Sequence, residues 1–252
     1  MTTAIENMFK DKVLGHPAGL FVLFFTEMWE RFSYYGMRAL LVMFFTASLL
    51  DGGWGWPREH AYAIFGTYTS LVYLSTLLGG YFADKKIGYR YAVVIGALLM
   101  TLGHGAMAVE TPFFIYLGLT LLVFGSGFFK PNMTSIISEM YKGKDEKKDG
   151  AYTIFYMGVN AGAFLGILLC GYLGEQVGWR WGFGLAGIFM LFGLLQFWFA
   201  QNIFGDIGTK PVKVDFNDLK LSADEPKLNP FTSLQLGLIA IASVLGISWM
   251  CN

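Results

Sequence analysis

From Thr26 to Arg38 the chain reads Thr-Glu-Met-Trp-Glu-Arg-Phe-Ser-Tyr-Tyr-Gly-Met-Arg, which places two carboxylates and two guanidinium groups inside a hydrophobic run extending from Leu20 to Leu50. At about 100° per residue, Glu27, Glu30, Arg31, Tyr34 and Arg38 share one narrow stripe of a helix, with Tyr35 at its edge. Leu23, Phe24, Phe25, Met28, Leu40 and Leu41 on the other faces are apolar. A charge at the centre of a bilayer costs about 3 kcal/mol on insertion scales, so such groups face protein or a water-filled cavity and mark the path of an ion or a substrate. A plain structural pair, Glu27 with Arg31 at i,i+4, accounts for only two of these charges. Four ionisable groups and two tyrosines on one face exceed what helix packing requires, and they predict a polar cavity.

The elements that must hold this stripe are read from composition and hydropathy. The 252-residue chain is 55% hydrophobic and 14% charged, against about 25% charged in soluble domains, which makes it a membrane protein. A net charge of zero leaves no basic bulk for nucleic acid. Cys170 and Cys251 both lie in apolar runs, so neither a disulfide framework nor a CxxC metal motif is available, and no cofactor is implied. The polar first sixteen residues, followed by an apolar run too long for a signal-peptide core, argue against a cleaved signal.

Apolar runs long enough to cross about 30 Å of hydrocarbon occur near 20–50, 61–83, 91–109, 113–140, 151–173, 179–203 and 231–252, giving seven spans. Asp51 to Pro57, with Trp54 and Trp56 suited to an interface and Pro57 to a helix start, breaks the first run. Outside the spans, thirteen lysines and arginines from Lys10 to Lys227 fall on one side and only Arg58 and Arg180 on the other, which predicts a cytoplasmic N-terminus. The expected organisation is a six-helix bundle over 1–204, a cytoplasmic linker over 205–230, and the start of a second bundle over 231–252. The chain is thus expected to be the N-terminal half of a transporter built from two related halves.

Other span residues carry further expectations. Gly158, Gly162 and Gly166 repeat every four residues and allow another helix to approach closely. Lys130, about seventeen residues into its span, is a second costly charge and is expected to pair with Glu27 or Glu30. Pro131 should disturb its helix locally. His104, alone between Gly103 and Gly105, reads as a histidine hydrogen-bonded in packing rather than a proton relay.

Three motifs together resemble one family. Glu27-x-x-Glu30-Arg31-Phe32-x-Tyr34-Tyr35-Gly36-Met37-Arg38 resembles the first-helix signature of proton-coupled oligopeptide transporters, a branch of the major facilitator superfamily. Phe155-Tyr156-Met157-Gly158-Val159-Asn160-Ala161-Gly162 resembles the fifth-helix signature of the same family, and Gly80-x-x-x-Asp84-Lys85-x-x-Gly88-x-Arg90 is similar to the less specific loop motif of the superfamily. The resemblance implies an all-α membrane fold, a major facilitator six-helix bundle of two inverted three-helix repeats, followed by a seventh span. It implies proton-coupled symport of di- and tripeptides into the cytoplasm across the inner (plasma) membrane.

Carried over residue by residue, the resemblance implies that Glu27 pairs with Lys130 and that Glu27 and Glu30 couple protons. It also implies that Arg31, Tyr34, Tyr35, Arg38, Tyr73, Lys130, Tyr156 and Asn160 line the peptide site and that Asp84 is a conformational latch. Gly66 stands where animal relatives carry a histidine, so the chain resembles the bacterial type. The implied partners are small peptides, protons, the lipid bilayer and the C-terminal half of the same transporter. Transport of nitrate or another anion, and a non-transporting nutrient sensor, are the alternatives. An intramembrane enzyme is disfavoured because the chain has no HExxH, no GxSxG, no pair of aspartates within spans and no histidine cluster.

Overall fold

Prolines and glycines set the ends of the long elements. Pro57 precedes one helix, Pro112 opens another, and Gly88 and Gly178 precede two more at φ 80 and 138, a region that suits glycine. The structure, a computed structural model, describes residues 12–210. These lie within one compact unit. The expected seventh span at 231–252 and most of the expected linker lie outside the described residues.

The chain begins with a minimal antiparallel hairpin, β1 (Lys12–Val13) and β2 (His16–Pro17), in which Val13 pairs with His16. Six long helices follow: α1 (Ala18–Thr46), α2 (Arg58–Phe82), α3 (Tyr89–Met107), α4 (Pro112–Met140), α5 (Asp145–Gln176) and α6 (Trp179–Ala200). A π-helical turn, Ala83–Ile87, continues α2, and a 3-10 turn, Gln201–Phe204, continues α6. By length and composition α2 to α6 can each cross a membrane. The 29 residues of α1 reach about 43 Å at ~1.5 Å per residue, and it is the helix that carries the charged stripe.

Packing supports the two-repeat architecture. Helix α1 packs on α5 and α6, α4 packs on α2 and α3, and α3 packs on α6. Exchanging α1 with α4, α2 with α5 and α3 with α6 maps α1–α5 onto α4–α2 and α1–α6 onto α4–α3 and leaves α3–α6 in place, as two related three-helix units require, while the packing of α5 on α6 has no α2–α3 contact of comparable extent.

The helix ends also sort by charge. One end gathers the hairpin, the Ala83–Ile87 turn and the residues after α6: Gly88 meets the Thr209 carbonyl, Arg90 N–H donates to Gly208 O at 2.9 Å, and His16 Nδ1 lies 2.7 Å from Tyr141 Oη. Lys85, Lys86, Lys142, Lys147, Lys148 and Lys210 lie at this end by sequence position. At the other end Trp54 stacks on Phe45 at 5.2 Å, and Trp179 Nε1 donates to Asp51 O at 2.9 Å, so the aromatic break after α1 closes against the start of α6.

The glycine row of α5 has a defined partner. A Cβ on Gly158 would meet Phe24 O at 2.9 Å, one on Gly162 would collide with Met28 O, and one on Gly166 with Phe32 O. The row therefore lies against the α1 backbone, beside the charged stripe. In α4 the helix continues through Pro131, which lacks the N–H that the Gly127 carbonyl would otherwise accept. That carbonyl instead faces Gly79 of α2, where a Cβ would not fit.

His104 departs from expectation. It is fully buried, but neither ring nitrogen has a hydrogen-bond partner among the described residues. Helix α6 meets it with Gly187, where an added Cβ would come within 3.3 Å of His104 Cβ and which offers the ring no partner.

Candidate functional site

The carboxylates of the stripe are buried, Glu27 4% exposed and Glu30 0%, while Arg31 and Arg38 are partly buried. Arg31 is central to both carboxylates. Its Nε donates to Glu27 Oε1 at 2.7 Å and also lies 2.7 Å from Glu30 Oε2. A guanidinium Nε has one proton, and it points at Glu27, so the contact with Glu30 is an ion contact without a directed hydrogen bond. Both Glu30 oxygens are consequently buried without a donor among the described residues. An ionised carboxylate in that state is costly to bury.

One turn further along α1, Tyr34 collects cations. Lys130 Nζ from α4 lies 3.8 Å from its ring centroid, Arg38 Cζ 5.3 Å and Arg31 Cζ 5.7 Å. Tyr35 meets Tyr34 edge to face at 5.3 Å. Arg38 also covers Phe65 of α2 at 4.9 Å, which ties α2 to the stripe.

The expected ion pair of Lys130 with Glu27 or Glu30 is not formed. Among the described residues both ion pairs belong to Arg31, which already serves the two carboxylates, and Lys130 meets α1 at Tyr34 instead. It stays within electrostatic reach of Glu30 and Glu27.

The remaining expected site residues lie on open surface. Tyr73 on α2 is 68% exposed and Tyr156 on α5 53%, and exposed Asn160 donates through Nδ2 to the Tyr156 carbonyl at 3.0 Å. Tyr73 lies within electrostatic reach of Tyr34, whereas neither Tyr156 nor Asn160 makes a side-chain hydrogen bond or ion pair with the charged cluster among the described residues. Asp84 is exposed in the turn after α2 and hydrogen-bonds Tyr89 at the start of α3.

Two features of the site were not anticipated. Tyr68 on α2 is buried, its hydroxyl has no partner among the described residues, and it lies within electrostatic reach of Tyr34, Glu30 and Arg38. It also lines an apolar groove of about 460 Å³ between α2 and α4, together with Ile64, Leu71, Leu119 and Val123. Its sequence signal is its place one turn after Phe65, on the face that meets Arg38. The second feature is a clasp at the basic end. Arg90 Nη1 donates to Gln201 O at 2.7 Å, and Gly208 N–H donates to Glu139 Oε2 at 2.8 Å, which fastens the chain after α6 onto α3 and α4. No cluster of three metal-ligating side chains occurs among the described residues.

The sequence model of the POT family, PTR2, matches residues 90–216, half of the chain. The chain belongs to the POT family. Among curated relatives, the peptide transporter YePEPT of Yersinia enterocolitica is 45% identical over 186 residues, covering 73% of this chain and 36% of that protein. The di-/tripeptide transporter of Lactococcus lactis subsp. cremoris is 40% identical over 211 residues, covering 81% of this chain and 42% of the relative.

Among solved structures, peptide transporter POT in complex with sulfate superposes with a TM-score of 0.79 at 37% identity, covering 99% of this chain and 48% of that one. A POT family transporter in complex with 5-aminolevulinic acid gives 0.78 at 31% identity, covering 98% of this chain and 49% of that one. This POT chain therefore spans less than half the length of each relative. The sequence expectation of family and helical membrane fold agrees with these matches, and the relatives named are transporters rather than enzymes.

Proposed function

We propose that this POT chain forms the N-terminal six-helix half of a proton-coupled symporter that carries di- and tripeptides into the cytoplasm by alternating access. The observation that carries the proposal is one guanidinium, Arg31, shared by two buried carboxylates while Lys130 and Arg38 converge with it on the Tyr34 ring. Cations gathered at one place suit the carboxylate terminus of a peptide. Arg31, Lys130 and Arg38 would bind it, with Tyr34, Tyr35, Tyr73, Tyr156 and Asn160 completing the cavity wall.

An arriving carboxylate competes with Glu27 and Glu30 for Arg31. A glutamate that loses its cation binds a proton more readily, so peptide and proton binding become linked, and the linkage is reciprocal. In this reading Glu27 and Glu30 carry the coupling and Asp84 acts as a latch at the basic end, which faces the cytoplasm of the plasma membrane. Residues 1–204 are the bundle, 205–230 the linker, and 231–252 the start of the second half, which supplies the rest of the cavity within the bilayer. Nitrate or sensor readings are disfavoured because the relatives are named as peptide transporters.

The experiment is uptake of a labelled dipeptide by the intact protein in liposomes under an imposed proton gradient. Glu30→Gln should abolish accumulation and spare peptide-for-peptide exchange, since exchange moves no net proton. Accumulation by the Gln variant overturns the coupling role, and absence of peptide uptake by the wild type overturns the transport reading.

A further inference from the structure

A second polar row runs along α1 beside the charged one. Thr26, Trp29 and Ser33 each precede a member of the charged stripe, Glu27, Glu30 and Tyr34, by one residue, so the two rows are about 100° apart around the helix. The second row faces α6. Trp29 Nε1 donates to Gln196 Oε1 at 3.0 Å, while Gln196 Nε2 donates to Val22 O at 3.1 Å and reaches Thr26 Oγ1 at 3.4 Å. Thr26 Oγ1 itself donates to Val22 O at 2.7 Å, and Ser33 Oγ to Trp29 O at 2.7 Å.

The surroundings hold this amide in place. Phe189 of α6 stacks on Phe32 at 4.0 Å and tilts against Trp29 at 5.2 Å, and a Cβ on Gly193 would come within 3.2 Å of Trp29 Cβ. Among the described residues, every side-chain hydrogen bond between α1 and α6 runs through Gln196. Its carboxamide engages α1 at the Val22 carbonyl and at the Trp29 indole, groups of residues seven apart in sequence.

Two bonds made by one planar amide, to an indole N–H and a backbone carbonyl of α1, restrict the rotation of α1 about its axis against α6. The site depends on that rotation, because its contacts with other helices cross from α1: Lys130 over Tyr34 at 3.8 Å and Arg38 over Phe65 at 4.9 Å. A side-chain tip about 6 Å from the axis moves about 1 Å for each ~10° of helix rotation. Misplacement by about 1 Å can lower a rate on the order of a hundredfold.

We propose that Gln196 is a positioning residue for the charge cluster: bound to Trp29 and Val22, it sets the rotation of α1 that aims the Glu27, Glu30 and Arg31 stripe into the bundle and holds Tyr34 under Lys130. The proposal rests on the transport reading above. It assigns Gln196 no contact with substrate.

The test compares Gln196→Met, which keeps length and removes every hydrogen bond of the amide, with Trp29→Phe, which removes only the bond from the indole. Both are made in the intact protein and reconstituted at matched amounts. Saturated proton-driven dipeptide uptake should fall roughly tenfold for Gln196→Met, with KM raised and the pH profile of uptake displaced. Trp29→Phe should shift the same quantities in the same direction by less. The pH profile reports on Glu30, which is faced by Arg31, Glu27 and Tyr34 from its own helix, Lys130 from α4 and Tyr68 from α2.

Variants that lose thermal stability but keep the wild-type KM and pH profile per molecule reduce Gln196 to a packing residue and overturn the proposal. If Gln196→Met yields no folded protein, the KM and pH profile of Trp29→Phe decide. A wild-type protein without peptide uptake overturns the transport reading alone. The positioning role is then read from spin labels at Leu49→Cys and Phe113→Cys, with Cys170 and Cys251 replaced by Ser: Trp29→Phe changes their separation if the network orients α1, and an unchanged separation overturns it.

Discussion

Replacing Gly162 by Ala tests the close approach of α5 to the helix that carries the charges. A Cβ at this position would collide with the Met28 carbonyl and lie 3.0 Å from Arg31 Cβ, so α1 and α5 must separate where Arg31 is held. Overpacking of this kind costs about 1–3 kcal/mol. Alanine in place of glycine in a helix returns about 1 kcal/mol of backbone propensity, which masks part of that cost.

Gly171, on the same helix, is the internal control: a Cβ there would meet nothing within 4 Å, so its alanine variant receives the propensity gain without the collision. The difference between the two variants therefore isolates the steric cost. At roughly 2–4 °C per kcal/mol for a domain of this size, Gly162→Ala should melt about 2–12 °C below Gly171→Ala. The assay is thermal unfolding of the purified intact protein in detergent, with both variants in one buffer. Melting points within about 1 °C of each other would refute the claim that glycine is required at this contact.

Removing Arg31 by Ala leaves two buried carboxylates unpaired and should destabilise by about 3–5 kcal/mol, whereas Lys130→Ala, which breaks no ion pair, should cost much less stability yet weaken peptide binding; equal losses in the same melting experiment would place Lys130 back among the ion pairs. Asp84→Asn should slow uptake at saturating peptide while leaving affinity intact, and a loss of affinity would move Asp84 to the binding site. Burial and nearby Lys147 push His16 below its ordinary 6.5. A depressed folded value means that the unfolded hairpin takes up a proton first as the pH falls, so the docking of His16 on Tyr141 is fully stabilising above about pH 6.5 and weakens below it. Amide exchange in the hairpin should then accelerate, beyond its intrinsic pH dependence, from about pH 7.5 to about pH 5, and an unchanged protection factor would refute this.

The charged stripe, the helices and their breaks were legible because each follows from local rules. A periodicity of about 100° aligns Glu27, Glu30, Arg31, Tyr34 and Arg38 whatever surrounds them, and Pro57, Pro112, Gly88 and Gly178 end or begin helices by their own backbone chemistry. The glycine row of α5 was legible as a close approach, but not its partner, because the sequence names one side of an interface. Lys130 shows the same limit. Its depth in α4 follows from counting residues, but its height against α1 does not, and that height decides between a carboxylate and the Tyr34 ring 3.8 Å away.

The neutral polar groups were missed for a different reason. A charge in an apolar run announces itself, since its cost of about 3 kcal/mol belongs to the residue and demands an explanation in any fold. An amide such as Gln196 can satisfy its hydrogen bonds with a partner far away in sequence, here 167 positions from Trp29 and 174 from Val22, so a lone Gln in a span carries no such demand. Tyr68 is the converse case, a phenol that reads as one more aromatic of α2 until its buried hydroxyl is found without a partner beside the cluster. In a membrane helix the sequence thus exposes the buried charges, and the neutral groups that bond between helices become visible only once the helices are packed.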